Sequence, residues 1–187
     1  METELRRLEP ERRRGLVVLI TGPGKGKTTA ALGMALRAAG WGLRVAIVQF
    51  MKGDMYYGEL DGVKRLAPLV ELEARGIGFC GIMGDERPFE EHRREAGRAL
   101  EAARAKMASG RYDILVLDEV NNAVHLGLLE LEDVLALMRA KPPLMHLVLT
   151  GRDARPELIE LADTVSEVRE VKHAYRQGIE PQPGIDY

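Results

Sequence analysis

The chain has 187 residues, 30% of them charged, and a formal net charge of −2 at pH 7. That length suits one α/β domain with a full core, and the near-neutral balance gives no sign of a nucleic-acid or membrane-surface partner. One cysteine, Cys80, leaves no internal disulfide, no run reaches transmembrane length, and the charged opening METELRRLEPERRR lacks the apolar core of a signal peptide, so a cytoplasmic location is expected.

Residues 1–14 read as a charged N-terminal tail, either disordered or carrying a short helix over residues 3–8 that Pro10 ends. The first strand is expected at residues 16–20 (LVVLI), followed by TGPGKGKTT and a helix over residues 27–39. Strand, Gly-rich turn and helix in that order are the setting of a phosphate-binding loop. Glycines let backbone N–H groups converge on the same oxygens. The helix N-terminus adds partial positive charge, Lys27 a full one, and Thr28 a hydroxyl for a metal ion. The general pattern G-x-x-x-x-G-K-[ST] places glycine where Thr21 stands. Counted from Gly22 the loop is one residue short, and a β-branched residue resists positive φ, so an unusual phosphate wrap is expected.

Small residues (Ala30, Ala31, Gly33, Ala35, Ala38) fit the helix closely against a sheet, and Gly40 and Gly42 end it. Arg37 is either a solvated charge or a reach towards the nucleotide; composition does not decide. A buried strand is expected at residues 44–50. The loop MKGDMYYGEL then carries Lys52, Asp54, Tyr56 and Tyr57, which suit a ligand rim as well as ordinary surface. Residues 69–73 read as a short strand, 74–88 as a Gly-rich loop, and 89–109 as a long helix with a charged, solvated face.

Residues 112–120 (YDILVLDEV) run four apolar positions into Asp118 and Glu119. A carboxylate at the C-terminal end of a parallel strand, beside a P-loop strand, is where a metal ion or its water is held. Asp118 is the stronger candidate, with Glu119 orienting or sensing the ligand. A helix over residues 129–140, a strand at 146–150 followed by Gly151-Arg152-Asp153, a helix at 156–162 and a last strand at 164–171 complete the pattern. The four histidines show no metal-ligand spacing. The composition of residues 172–187 reads as a loose C-terminal extension. Alternating strands and helices define a single-domain, three-layer α/β sandwich with a mostly parallel sheet over residues 15–171, of the RecA-like P-loop NTPase kind, with ligands across the carboxyl ends of its strands.

Several motifs together resemble the P-loop type of ATP:corrinoid adenosyltransferase. They are TGPGKGKTTAALG with its short loop, Arg37-Ala38-Ala39-Gly40, Val48 to Gly53 with Gly58-Glu59, LVLDEV, Leu149-Thr150-Gly151-Arg152, Val171-Lys172-His173-Ala174 and the terminal Gly184-Ile185-Asp186-Tyr187. The resemblance implies that ATP presents its ribose 5′ carbon to the Co(I) nucleophile of a reduced corrinoid, and that intact triphosphate leaves. It implies ATP as co-substrate, Mg²⁺ or Mn²⁺, a reductase or flavodoxin-like electron donor, and a homodimer whose N-terminal segment helps cover the site. Lys27, Thr28, Asp118 and Glu119 are then the catalytic candidates, with Thr28, Asp118 and Glu119 holding the metal. Gly22, Pro23, Gly24, Lys25, Gly26, Lys27, Thr28, Thr29, Arg37, Lys52, Phe79 and Arg152 are the binding candidates. One departure stands out. Relatives often carry Phe and Trp two apart, and here Phe79 is followed by Gly81, with Met83 or Phe89 as substitutes for the missing ring. An ordinary P-loop kinase or ATPase, or a regulatory protein using ATP as a switch, is the competing class.

Overall fold

Each strand is a four- or five-residue stretch, mainly apolar in the centre of the sheet, too short to stand alone and stable only within a sheet. The computed structural model describes residues 10–53, 56–78, 80–81 and 85–187. Its strands are β1 (Val17–Thr21), β2 (Val45–Gln49), β3 (Val70–Ala74), β4 (Ile114–Asp118), β5 (His146–Thr150) and β6 (Thr164–Glu167). They form one sheet in the order β3-β2-β4-β5-β1-β6, and every pairing is parallel.

The period-2 alternation of strand side chains sorts the core into two layers. Val17, Leu19, Ala46, Val48, Leu115, Leu117, Leu147 and Leu149 pack under α3 (Phe89–Ala108), α4 (Val120–His125), α5 (Leu131–Arg139) and α6 (Pro156–Leu161). Ile20, Val45, Ile47, Ile114, Val116 and Val148 face α1 (Lys27–Gly40) and α2 (Gly58–Lys64) on the other side. Parallel strands covered on both faces read as continuous apolar runs, which is why β4 and β5 were legible. On α1, Ala31, Ala35 and Ala38 recur at helical spacing and are buried, so the helix axis lies close to the sheet.

Four local differences from the sequence reading have physical causes. The sheet is wholly rather than mostly parallel, and β4 is not the neighbour of β1, because β5 pairs with both. The loop expected over residues 51–60 gives way at Gly58 to α2, which runs to Lys64 and whose first turn carries Glu59 and Asp61. The run at 112–120 is split, for Glu119 adopts φ 64 and turns the chain from β4 into α4. The last strand stops at Glu167; its residues are all exposed, since it is an edge that pairs only with β1. The described end of the N-terminal tail is tied to the sheet: Arg14 ion-pairs with Asp163, whose Oδ2 accepts the Val17 N–H at 2.8 Å. The tail helix expected over residues 3–8 lies outside the described residues.

Candidate active site

Backbone geometry, more than side chains, shapes the loop between β1 and α1. Thr21 stays in β1, buried, with its hydroxyl accepting the Ala154 N–H at 3.3 Å. The positive φ that a threonine resists is taken one residue later by Gly22 (φ 98) and again by Gly26 (φ 113). The segment after β6 runs against this loop: Val168 N–H donates to Thr21 O at 2.8 Å, and Gly24 N–H donates to Val168 O at 2.7 Å. A Cβ on Gly24 would fall 2.7 Å from the Arg169 carbonyl, so only glycine allows the approach. The shortened loop is therefore fixed by a strand edge that the sequence alone does not place beside it.

Lys27 folds back over the loop, its Nζ donating to Gly22 O at 2.8 Å and to Gly24 O at 2.6 Å. Burial, reinforced by the Arg152 guanidinium, lowers its pKa. α1 has Gly26 at its N-cap, no side-chain cap and no acidic residue in its first turn, whereas α2, α3 and α5 carry two each there. A helix start without cap or carboxylate leaves its N–H groups and its partial positive charge for an outside anion.

Behind the loop sits a buried carboxylate cluster. Asp118 Oδ1 accepts from Thr28 Oγ1 at 2.9 Å and from Thr150 Oγ1 at 2.6 Å, while Oδ2 accepts from Gln49 Nε2 at 3.1 Å. Because β5 lies beside β4, the Thr150 hydroxyl reaches the end of that strand twice: it also accepts the Glu119 N–H at 2.9 Å. Lys52 Nζ lies 3.5 Å from Glu59 Oε1 and 3.8 Å from the centroid of the Tyr57 ring. Three buried side-chain oxygens have no hydrogen-bond partner among the described residues, namely Gln49 Oε1, Glu119 Oε2 and Asn121 Oδ1. Such groups are uncommon unless a ligand or ion completes them, and Glu119 lines the adjoining cavity.

Burial, with the Asp118 charge beside it, pushes Glu119 up to about 7, against the opposing pull of Lys52 and Lys27. The folded state then holds a proton that the unfolded chain releases near pH 4.5. Stability of the metal-free, nucleotide-free protein should consequently fall as pH rises from about 4.5 to about 7, by on the order of 3 kcal/mol. Chemical denaturation in EDTA at several pH values checks this: Glu119→Gln should flatten the slope, and parallel profiles for the two proteins would contradict it.

A cavity of about 850 Å³ opens over the carboxyl ends of the strands, within the range of small-molecule sites. Its lining brings together most of the expected residues: Gly24, Lys25, Gly26, Lys27, Thr28, Thr29, Lys52, Glu119 and Arg152. Asp118 lies beneath, 1% exposed. Gly22 and Pro23 shape the loop but stand outside the lining. Arg37 is not brought in. It is exposed in the last turn of α1, ten residues and about 15 Å from Lys27. Phe79 and Met83 lie outside the described residues, and Phe89 is exposed at the start of α3.

The residues that sequence reasoning passed over come largely from the chain's end. Residues 172–187 were read as a loose extension, yet His173, Gly184, Ile185, Asp186 and Tyr187 line the cavity. Asp186 ion-pairs with Lys25 at 2.9 Å, and Gly184 N–H donates to Tyr187 O at 2.7 Å. These are polar and backbone ties, invisible to a search for apolar periodicity. Thr150, Gln49 and Asn122 were likewise missed as site residues; Asn122 Oδ1 accepts the Arg152 N–H at 2.8 Å.

With a lysine and an open helix start at one end of the cavity and a hydroxyl-bound aspartate below it, the molecule falls in the class of P-loop nucleotide-binding α/β proteins. Sequence comparison narrows the class. The family model described as ATP:corrinoid adenosyltransferase BtuR/CobO/CobP matches residues 13–187. A corrinoid adenosyltransferase of Pseudomonas aeruginosa is 40% identical over 174 residues, covering 93% of this chain and 84% of that one. Corrinoid adenosyltransferase CobA of Salmonella typhimurium is 38% identical over 184 residues, 96% of this chain and 89% of its own, and that of Escherichia coli K12 is 38% identical over 178, 93% and 86%. The chain belongs to the ATP:corrinoid adenosyltransferase family. Among solved structures, EssC (ATPases 2 and 3) from Geobacillus thermodenitrificans aligns with a TM-score of 0.47 and 16% identity over 92% of this chain and 36% of its own, too remote to bear on function.

Proposed function

We propose that this protein transfers the 5′-deoxyadenosyl group of ATP to the Co(I) centre of a reduced corrinoid and releases inorganic triphosphate. The cobalt electron pair forms the bond to C5′, the C5′–O bond breaks, and the departing triphosphate takes its electrons. The observation that carries the reading is the shortened loop, pinned to Val168 and folded under Lys27. It is a cradle for a triphosphate that leaves as a unit. Charge building on that leaving group would be met by Lys27, by the N–H groups at Gly26 and Lys27, and by Arg152 at the cavity wall. The corrinoid brings its own nucleophile, so the protein's work is to bind, orient and stabilise.

The donor set suits Mg²⁺, with Mn²⁺ as a substitute. The Thr28 hydroxyl, the Asp118 carboxylate and the partnerless Glu119 Oε2 are hard oxygen ligands next to the phosphate end of the cavity. A bound cation would neutralise triphosphate charge there. Lys25, Thr29 and Lys52 are proposed nucleotide or corrinoid contacts, and Phe79 a corrinoid contact. A reductase or flavodoxin-like donor would supply electrons to the cobalt. A cytoplasmic homodimer is the proposed working form; exposed Val171, Tyr175, Ile179 and Ile185 along the C-terminal segment offer it apolar surface. Among the described residues no helix is long and apolar enough to cross a membrane.

The test is to mix the protein, Mg²⁺, ATP and chemically reduced cob(I)alamin under anaerobic conditions. A light-sensitive cobalt–carbon product should accumulate only with all components present. Its absence, with ATP bound and cobalt kept as Co(I), would overturn the reading.

A further inference from the structure

The loop between β3 and α3 brings together three donors that the nucleotide site does not use. The Cys80 Sγ, an Asp85 carboxylate oxygen and a His92 ring nitrogen all lie within 4.8 Å of one another. His92 Nε2 is 3.0 Å from Asp85 Oδ2 and 3.2 Å from Oδ1. The sequence spacing, four residues and then six, matches no familiar ligand pattern, so the set was not legible before folding.

Each donor is held. His92 sits in the first turn of α3, its side chain 2% exposed, so its ring is fixed by a twenty-residue helix. The Asp85 carboxylate accepts the Gly81 N–H at 3.1 Å on Oδ2 and the Arg87 N–H at 3.2 Å on Oδ1. Gly81, at φ 73, lets the chain fold back for the first of these bonds. Backbone donors that orient a ligating carboxylate are the outer contacts a metal centre relies on. Cys80 is half-buried, in no disulfide, and lines the main cavity.

We propose that Cys80, Asp85 and His92 form a binding site for a divalent metal ion of the Zn²⁺ type, on the wall of the main cavity. Sulfur, nitrogen and oxygen together are a borderline-soft set that suits Zn²⁺ or Co²⁺ and not Mg²⁺. Ligand lengths of about 2.0–2.3 Å put tetrahedral neighbours about 3.3–3.8 Å apart. His92 Nε2, 3.0 Å from Asp85 Oδ2 and 3.2 Å from Oδ1, lies just inside that spacing, and the sulfur, within 4.8 Å of both partners, needs to approach by at most about 1 Å. Thiolate and carboxylate balance the double charge of the ion, and the thiol proton leaves to solvent. Three protein ligands leave a fourth position for water. The bound ion would tie the loop to the first turn of α3. This does not depend on adenosyl transfer and stands or falls separately from it.

The experiment uses the full chain, stripped with EDTA, exchanged into excess Mg²⁺ to occupy hard oxygen sites, and titrated with Co²⁺. One equivalent should raise a near-ultraviolet sulfur-to-cobalt band together with the visible bands of four-coordinate cobalt, and Zn²⁺ should abolish both by displacement. Cys80→Ser should lose the sulfur band, and His92→Ala should weaken binding at least tenfold. Zn²⁺ should also raise the melting temperature of the original protein but not of Cys80→Ser, which guards against a misfolded His92 variant. Absence of the sulfur band at one equivalent, or unchanged Zn²⁺ affinity in Cys80→Ser, would overturn the proposal.

Discussion

Lys27→Ala should lower kcat/KM for ATP by about 10²–10³-fold, roughly 3–4 kcal/mol of lost transition-state stabilisation, and weaken ATP binding with it. Two losses combine. The charge proposed to meet the triphosphate is lost, and so is the tie between α1 and the loop that Nζ makes by donating to Gly22 O and Gly24 O. The lowered pKa of Lys27 follows mainly from burial, so part of its charge is shielded from solvent and acts more strongly on a neighbouring anion than a surface lysine would. Lys27→Arg should recover little, because a planar fork does not fit between two carbonyls 2.6 and 2.8 Å from one nitrogen. Calorimetry with ATP decides: unchanged affinity in Lys27→Ala would remove the lysine from the triphosphate site.

Asp118→Asn should raise the Mg²⁺ concentration needed for half-maximal activity by about 10–100-fold while leaving the protein folded. The exchange conserves shape but replaces an acceptor of three hydrogen bonds with a group that must turn an N–H₂ towards a donor. Thr28 and Thr150 meet one carboxylate oxygen, and Gln49 the other. Leaving one such donor unmet costs about 1–3 kcal/mol, so a moderate loss of stability accompanies the metal effect. A metal titration curve identical to that of the unaltered protein would move the role to Glu119.

These residues were legible because the two motifs carry their context with them. Val17 to Thr21 and Ile114 to Asp118 are short, apolar and buried on both faces, so strand and terminal chemistry read together. What stayed hidden depends on strand order and on the ends of the chain. That β5 lies between β1 and β4, giving Asp118 the Thr150 hydroxyl, is a non-local choice that periodicity does not encode. Thr21 suggested a strained loop, and the strain is absent because Gly22 takes the turn and Val168 braces it. α2, seven residues of which Gly58 and Gly62 are two, lacks the span from which helical period is read. The C-terminal segment has no period either, and the Lys25–Asp186 pair that brings it to the cavity joins residues far apart in the chain. Arg37, a charge within a recognised motif that the sequence left open, stands in the last turn of α1, outside the cavity lining.

In the proposed reaction the triphosphate departs intact from a loop that is one residue short and braced by Val168. Phosphorus NMR of the protein with Mg²⁺, ATP and cob(I)alamin tests it most directly. Little phosphate should appear before the corrinoid is added, and afterwards inorganic triphosphate should match the adenosylated product one for one. ADP as the main phosphorus product would contradict the account.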